Sequence, residues 1–74
     1  MSTKVSPFTL SKLSHVVIDI YDINGNKIDN LINQIYSSGE YSIDWNAEGF
    51  SSGTYFIVAE FSDQMQQQKI VLMK

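Results

Sequence analysis

Val16, Ile18 and Ile20 alternate with Val17, Asp19 and Tyr21, and the run ends in Asp22-Ile23-Asn24-Gly25-Asn26. Nothing else in the sequence narrows the fold as much. Apolar residues at every second position, most of them β-branched, describe a strand with one buried face. Asn-Gly supplies the two positive φ angles of a type I′ turn, so the chain is expected to reverse there. An antiparallel partner strand should then leave at about Lys27.

That return segment carries two conflicting patterns. Ile28, Leu31, Ile32 and Ile35 fall at i, i+3, i+4 and i+7, which is helical spacing. Asn26, Asn30 and Asn33 are poor interior helix formers, and the preceding hairpin turn demands a strand. The expectation is a strand over 27–31 and an irregular or bulged continuation over 32–38.

Downstream, Ser37-Ser38-Gly39 reads as a turn. Tyr41, Ile43 and Trp45 then alternate with Ser42, Asp44 and Asn46, a half-buried strand, and Asn46 to Gly53 is a Gly- and Ser-rich loop. The segment 55–61 is apolar on both faces, with Tyr55, Ile57, Ala59 and Phe61 on one and Phe56 and Val58 on the other. Such a strand is central, or has its second face covered by a partner. Ser62-Asp63-Gln64 suggests a tight turn, and residues 66–73 a closing strand. Near the start, Phe8 and Leu10 suggest a short first strand that begins at an edge, because Pro7 cannot donate to a ladder. Residues 1–7 read as a linker remnant or as a start added to an excised fragment, and residues 8–74 as the domain. The sum is an all-β, immunoglobulin-like antiparallel β-sandwich of six to seven short strands.

Composition limits what such a sandwich can do. The chain has 74 residues, no cysteine, one histidine and a formal charge of −3. It holds one domain at most, and at this length folding buries only roughly 60% of the unfolded surface. Disulfides and Cys-based metal sites are excluded. The absence of arginine and the acidic balance argue against nucleic acid, whose phosphates demand clustered positive charge. The longest unbroken apolar run, Tyr55 to Ala59, is too short to span a bilayer as a helix.

Chemistry-bearing residues are sparse. Asp22, Asn24 and Asn26 put oxygens at positions 1, 3 and 5 of an EF-hand-like loop, but the glycine comes at position 4 and position 12 is Asn33. A hairpin turn explains these residues better. His15 has no Gly-x-Ser-x-Gly elbow to serve and is expected at the surface. Asp44, Glu48 and Glu60 read as solvated acids, since a small sandwich offers little concavity to desolvate a carboxylate pair. Tyr41, Trp45 and Tyr55 could form a sugar-stacking platform, but their alternation places Tyr41 and Trp45 on the apolar face. Phe56 and Val58 lie opposite the core face and form a candidate docking strip if nothing covers them.

Four stretches, in order, resemble one family. They are Val16-Val17-Ile18-Asp19-Ile20-Tyr21-Asp22-Ile23-Asn24-Gly25, Gly39-Glu40-Tyr41-Ser42-Ile43-Asp44-Trp45, Ser52-Gly53-Thr54-Tyr55-Phe56-Ile57 and Lys69-Ile70-Val71-Leu72. Together they resemble the C-terminal sorting domain of type IX secretion system cargo, type A, also called the Por secretion system sorting domain. Two features depart from the family pattern. An Asn-Pro segment often precedes the first strand, and arginine commonly follows the turn glycine where this chain has Asn26-Lys27. The immunoglobulin-like domain of the flagellar hook-capping protein shares the Tyr-Asp-x-x-Gly and Gly-x-Tyr-Phe features.

The resemblance implies a folded, non-enzymatic secretion signal without a cofactor. Its parent would reach the periplasm of a Gram-negative bacterium and then the cell surface or the medium. The implied partners are the outer-membrane secretion machinery, a sortase-like peptidase that removes the domain, and a covalently joined N-terminal cargo. The residues it points to for sorting are Gly53, Tyr55, Phe56, Lys69, Ile70, Val71, Leu72 and Lys74, with Asp22, Asn24 and Gly25 shaping the hairpin turn. Open edges in a small sandwich are templates for strand addition, so the run 70–73 is expected at or near an edge, and pairing of two copies through an edge is a further expectation. The alternative is a structural or carbohydrate-binding accessory domain of a secreted enzyme, which calls for an exposed Trp45 or Phe56 beside other aromatics.

Overall fold

Six strands follow the chain in a computed structural model: β1 (Ser2–Leu10), β2 (Ser14–Asp22), β3 (Lys27–Tyr36), β4 (Gly39–Asn46), β5 (Gly53–Phe61) and β6 (Gln64–Leu72). The structure describes residues 2–61 and 64–73, with side chains from Pro7 onward. The expected turn at Ser62-Asp63 and the site residue Lys74 lie outside the described residues. Four strands form one sheet in the order β3-β2-β5-β6, and β1 pairs with β4 in a second. All pairings are antiparallel, and the two sheets pack face to face as the expected sandwich.

Each sheet lends its inward side chains to one core. β2 contributes Val16, Ile18 and Ile20, and β5 contributes Tyr55, Ile57, Ala59 and Phe61. Phe8 and Leu10 come from β1, Trp45 from β4, and Ile70 and Leu72 from β6. Aromatic contacts join the layers. The Phe8 ring lies 5.4 Å from Phe61, Tyr36 meets Tyr41 edge-on at 4.8 Å, and Trp45 meets Tyr55 at 5.4 Å. β4 therefore rides over β3, and β1 over β5.

Trp45 is fully buried, so the sugar-platform arrangement does not form around it. Burial of an indole leaves its N–H in need of an acceptor. Nε1 donates to the Asp29 carboxylate at 3.2 Å, a polar tie between the sheets.

β3 departs most from expectation. It runs as a strand to Tyr36, including the stretch expected to be irregular, and its two register shifts come earlier. Ile18 pairs with Ile32 but Asp19 with Asn30, so Leu31 is extra, and Ile20 pairs with Asp29 but Tyr21 with Lys27, so Ile28 is extra. These bulges change the phase of the strand twice. They allow Ile28, Leu31 and Ile32, at helical spacing in sequence, all to pack on the core from a strand. Ile35 points away and is 65% exposed. The Asn30 side chain holds the bulge, donating to the Asp19 carboxylate at 2.7 Å and to the Ile32 carbonyl at 3.2 Å.

The hairpin turn forms where Asn24-Gly25 places it, in another geometry. Gly25 N–H donates to the Asp22 carbonyl at 3.1 Å and Asp22 N–H to the Asn26 carbonyl at 2.9 Å. Ile23 and Asn24 are thus the central pair, and Gly25 follows at φ 87°, the left-handed bulge position of a three-residue loop. The Asp22 side chain decides this, because its carboxylate accepts from the N–H of both Asn24 and Asn26 at 2.9 Å.

β1 begins at Ser2, well before the Phe8–Leu10 segment that alternation identifies. Its pairing with β4 runs from Ser2↔Asn46, breaks between Val5 and Phe8, and resumes to Leu10↔Gly39. The break contains Pro7, which lacks the amide a regular ladder needs.

Candidate functional site

A sandwich of two open sheets has four free edges, and here they are β3 and β6 of the larger sheet and β1 and β4 of the smaller. Unpaired backbone N–H and C=O groups along an edge invite another strand, and proteins discourage this with bulges, proline and charge. β3 carries two bulges and Asp29. β1 has the irregularity at Pro7. β4 exposes Glu40 and Asp44. β6 has neither a bulge nor a proline, and its charge is limited to Lys69. Its register with β5 is one-to-one from Gly53↔Leu72 to Phe61↔Gln64, its nine residues contain no proline and no acid, and Lys69 is its single charge.

The closing run thus lies in an edge strand through Leu72, where the open edges of a small sandwich led it to be expected. Ile70 and Leu72 point inward and are buried, whereas Lys69 and Val71 point outward, with Val71 57% exposed. Toward the start of β6 the inward positions turn polar. Gln66 and Gln68 line an open groove of about 390 Å³ floored by Phe8, Ile18, Ile57 and Ala59. Gln66 is exposed there, where an apolar side chain would be left in water.

The other residues expected to serve in sorting separate into two groups. Tyr55 is buried, and its hydroxyl donates to the Ser51 carbonyl at 2.7 Å, pinning the 47–52 loop to the strand that follows it. Gly53 opens β5 at φ 155°, a conformation that strains any residue with a Cβ. Neither turns a side chain to the outer face of the sheet. Phe56 does. It pairs with Tyr21 on one side and Lys69 on the other, and a shallow hollow of about 270 Å³ lies between Tyr21, Ile23, Phe56, Val58 and Gln67. Met65, 66% exposed on this face, is an apolar group that the sequence reading did not single out. Its signal was available, since it shares parity with Lys69 and Val71.

The chemistry-bearing residues are dispersed. His15 is exposed in β2, with Nε2 2.6 Å from Asn33 Oδ1. Glu48 and Glu60 are exposed on separate elements. Among the described residues no three His, Asp or Glu side chains cluster to hold a metal ion. The Asp22 carboxyl titrates below its ordinary range, chiefly because the Asn26 amide donates to it, with Asn24 adding to the effect. That charge is committed to the turn.

Compared with known families, the chain matches the model of the secretion system C-terminal sorting domain over residues 4–73. It belongs to that family. No curated protein and no solved structure matches the chain. As a sorting domain, the sandwich is a C-terminal signal for type IX secretion, which carries proteins across the outer membrane to the cell surface or the medium. A sorting domain acts through contact with secretion machinery on behalf of a cargo joined to its N-terminal side, and the family is not an enzymatic one.

Proposed function

We propose that the secretion machinery reads this sorting domain at the β6 edge, by strand addition. One observation carries the reading. β6 alone of the four edges lacks a bulge, a proline or an acid, so its backbone groups stand in regular spacing for a partner strand. Lys69 and Val71 supply side-chain contacts along the edge, Phe56 extends them onto the outer face, and Lys74 belongs to the same set of recognition residues. Gly53, Tyr55, Ile70 and Leu72 serve by holding the strand in place, as Asp22, Asn24 and Gly25 hold the hairpin beside it. Residues 8–74 form the recognised unit, and a sortase-like peptidase then separates it from the cargo. The domain contributes no catalytic group, and the same edge is open to a second copy.

Secretion of a reporter fused to the domain tests this. Deleting residues 70–74 should abolish export. Because that deletion also removes Ile70 and Leu72 from the core, the companion variant K69E/V71K changes outward side chains only. It should keep native Trp45 fluorescence and cut secretion severalfold. A truncated or K69E/V71K reporter secreted like the parent would overturn the reading.

A further inference from the structure

We infer that two copies of this chain pair antiparallel along β6, in the register centred on Gln68, to give one continuous eight-stranded sheet. The inference deepens the proposal for the β6 edge by naming an occupant, and it rests on the structure of that edge alone.

The geometry leaves few choices. A two-fold axis that makes two β6 strands antiparallel stands perpendicular to the sheet, so inward residues face inward residues across the seam. Residues that pair must then share parity. Of the registers that remain, the one centred on Gln68 pairs all nine residues of Gln64–Leu72 with their counterparts. It sets Met65 opposite Val71 of the other copy, twice by symmetry, and both are exposed apolar side chains. Lys69 falls opposite the neutral Gln67. Sliding the centre to Lys69 would set two lysines face to face, a destabilising cross-strand pair. Sliding it the other way leaves Val71 beyond the partner strand's end.

Sedimentation equilibrium of the 74-residue chain, over roughly 1 µM to 1 mM, provides the test. The mass should rise with concentration toward twice the 8.4 kDa of one chain. Two double variants then fix the register. Within one chain Met65 and Val71 lie about 20 Å apart along the strand and cannot meet. Across the proposed seam they are partners, so M65E/V71K creates two opposite-charge pairs and M65K/V71K two like-charge pairs. The M65E/V71K dimer should dissociate about tenfold less readily than that of M65K/V71K. Trp45 fluorescence reports whether each variant is folded. A parent chain that stays monomeric throughout overturns the dimer. A dimer that treats the two variants alike overturns the register. Neither result touches export recognition, which the reporter assay reads separately.

Discussion

β3 and β6 close opposite edges of the same sheet, yet they solve opposite problems. β3 is broken by two bulges whose extra residues, Ile28 and Leu31, turn toward the core, and its polar groups are consumed internally, Asp29 by Trp45 and Asn30 by Asp19. β6 pairs residue for residue with β5 and spends none of its length on irregularity. A small protein that needed only to stay soluble would blunt both edges. On the proposed reading, a regular β6 offers the machinery a backbone to pair with, while the bulges of β3 discourage addition at the far edge of the same sheet.

The contrast can be broken by substitution. The largest effect is expected from Ile70→Ala, which removes a buried side chain from β6 and should cost about 2–5 kcal/mol in a denaturant titration. Ile28→Ala in β3, where the side chain is only half-buried, should cost less. Deleting Leu31 removes one bulge and straightens the β3 edge. The deletion should make the domain self-associate through β3, seen as oligomers larger than the parent forms by light scattering. Asp29→Ala leaves the buried Trp45 N–H without its acceptor and should destabilise by about 1–3 kcal/mol, with a shifted Trp45 emission. The smallest effect concerns the β2–β3 turn. The Asp22 carboxyl is held below its ordinary value by the Asn26 and Asn24 amides. Its contribution to stability is therefore complete above the unfolded pKa near 4 and declines as pH falls through the lower folded value. Protection of the Asn24 and Asn26 amides against exchange should fall in acid, and Asp22→Asn should flatten that response.

Much of this was legible in the residues. Alternation located β2, β4 and β5, Asn24-Gly25 located the hairpin, and the parity of Tyr41, Ile43 and Trp45 put Trp45 inside. Alternation failed where its premise fails. The two extra residues in β3 reset the phase, so a strand looked like an interrupted helix. Residues 2–7 hold too few apolar positions to betray a strand that exists through pairing with β4. The turn kept its place but changed its type, because Asp22 offered its carboxylate to two amides at once. At the proposed recognition edge, parity separated the inward Ile70 and Leu72 from the outward Lys69 and Val71. Which strands are edges is a property of topology, and the absence of bulges in β6 becomes visible only beside β5.

A pair of prolines tests the edge most directly. Amides of adjacent residues in an antiparallel strand point to opposite sides, so one of Gln68 and Lys69 donates toward β5 and the other toward the free edge. Gln68→Pro and Lys69→Pro should therefore differ. One unfolds the domain, while the other keeps native Trp45 fluorescence and loses only an outward donor. The account predicts that the folded variant fails to export its reporter. A folded proline variant exported as well as the parent would contradict it.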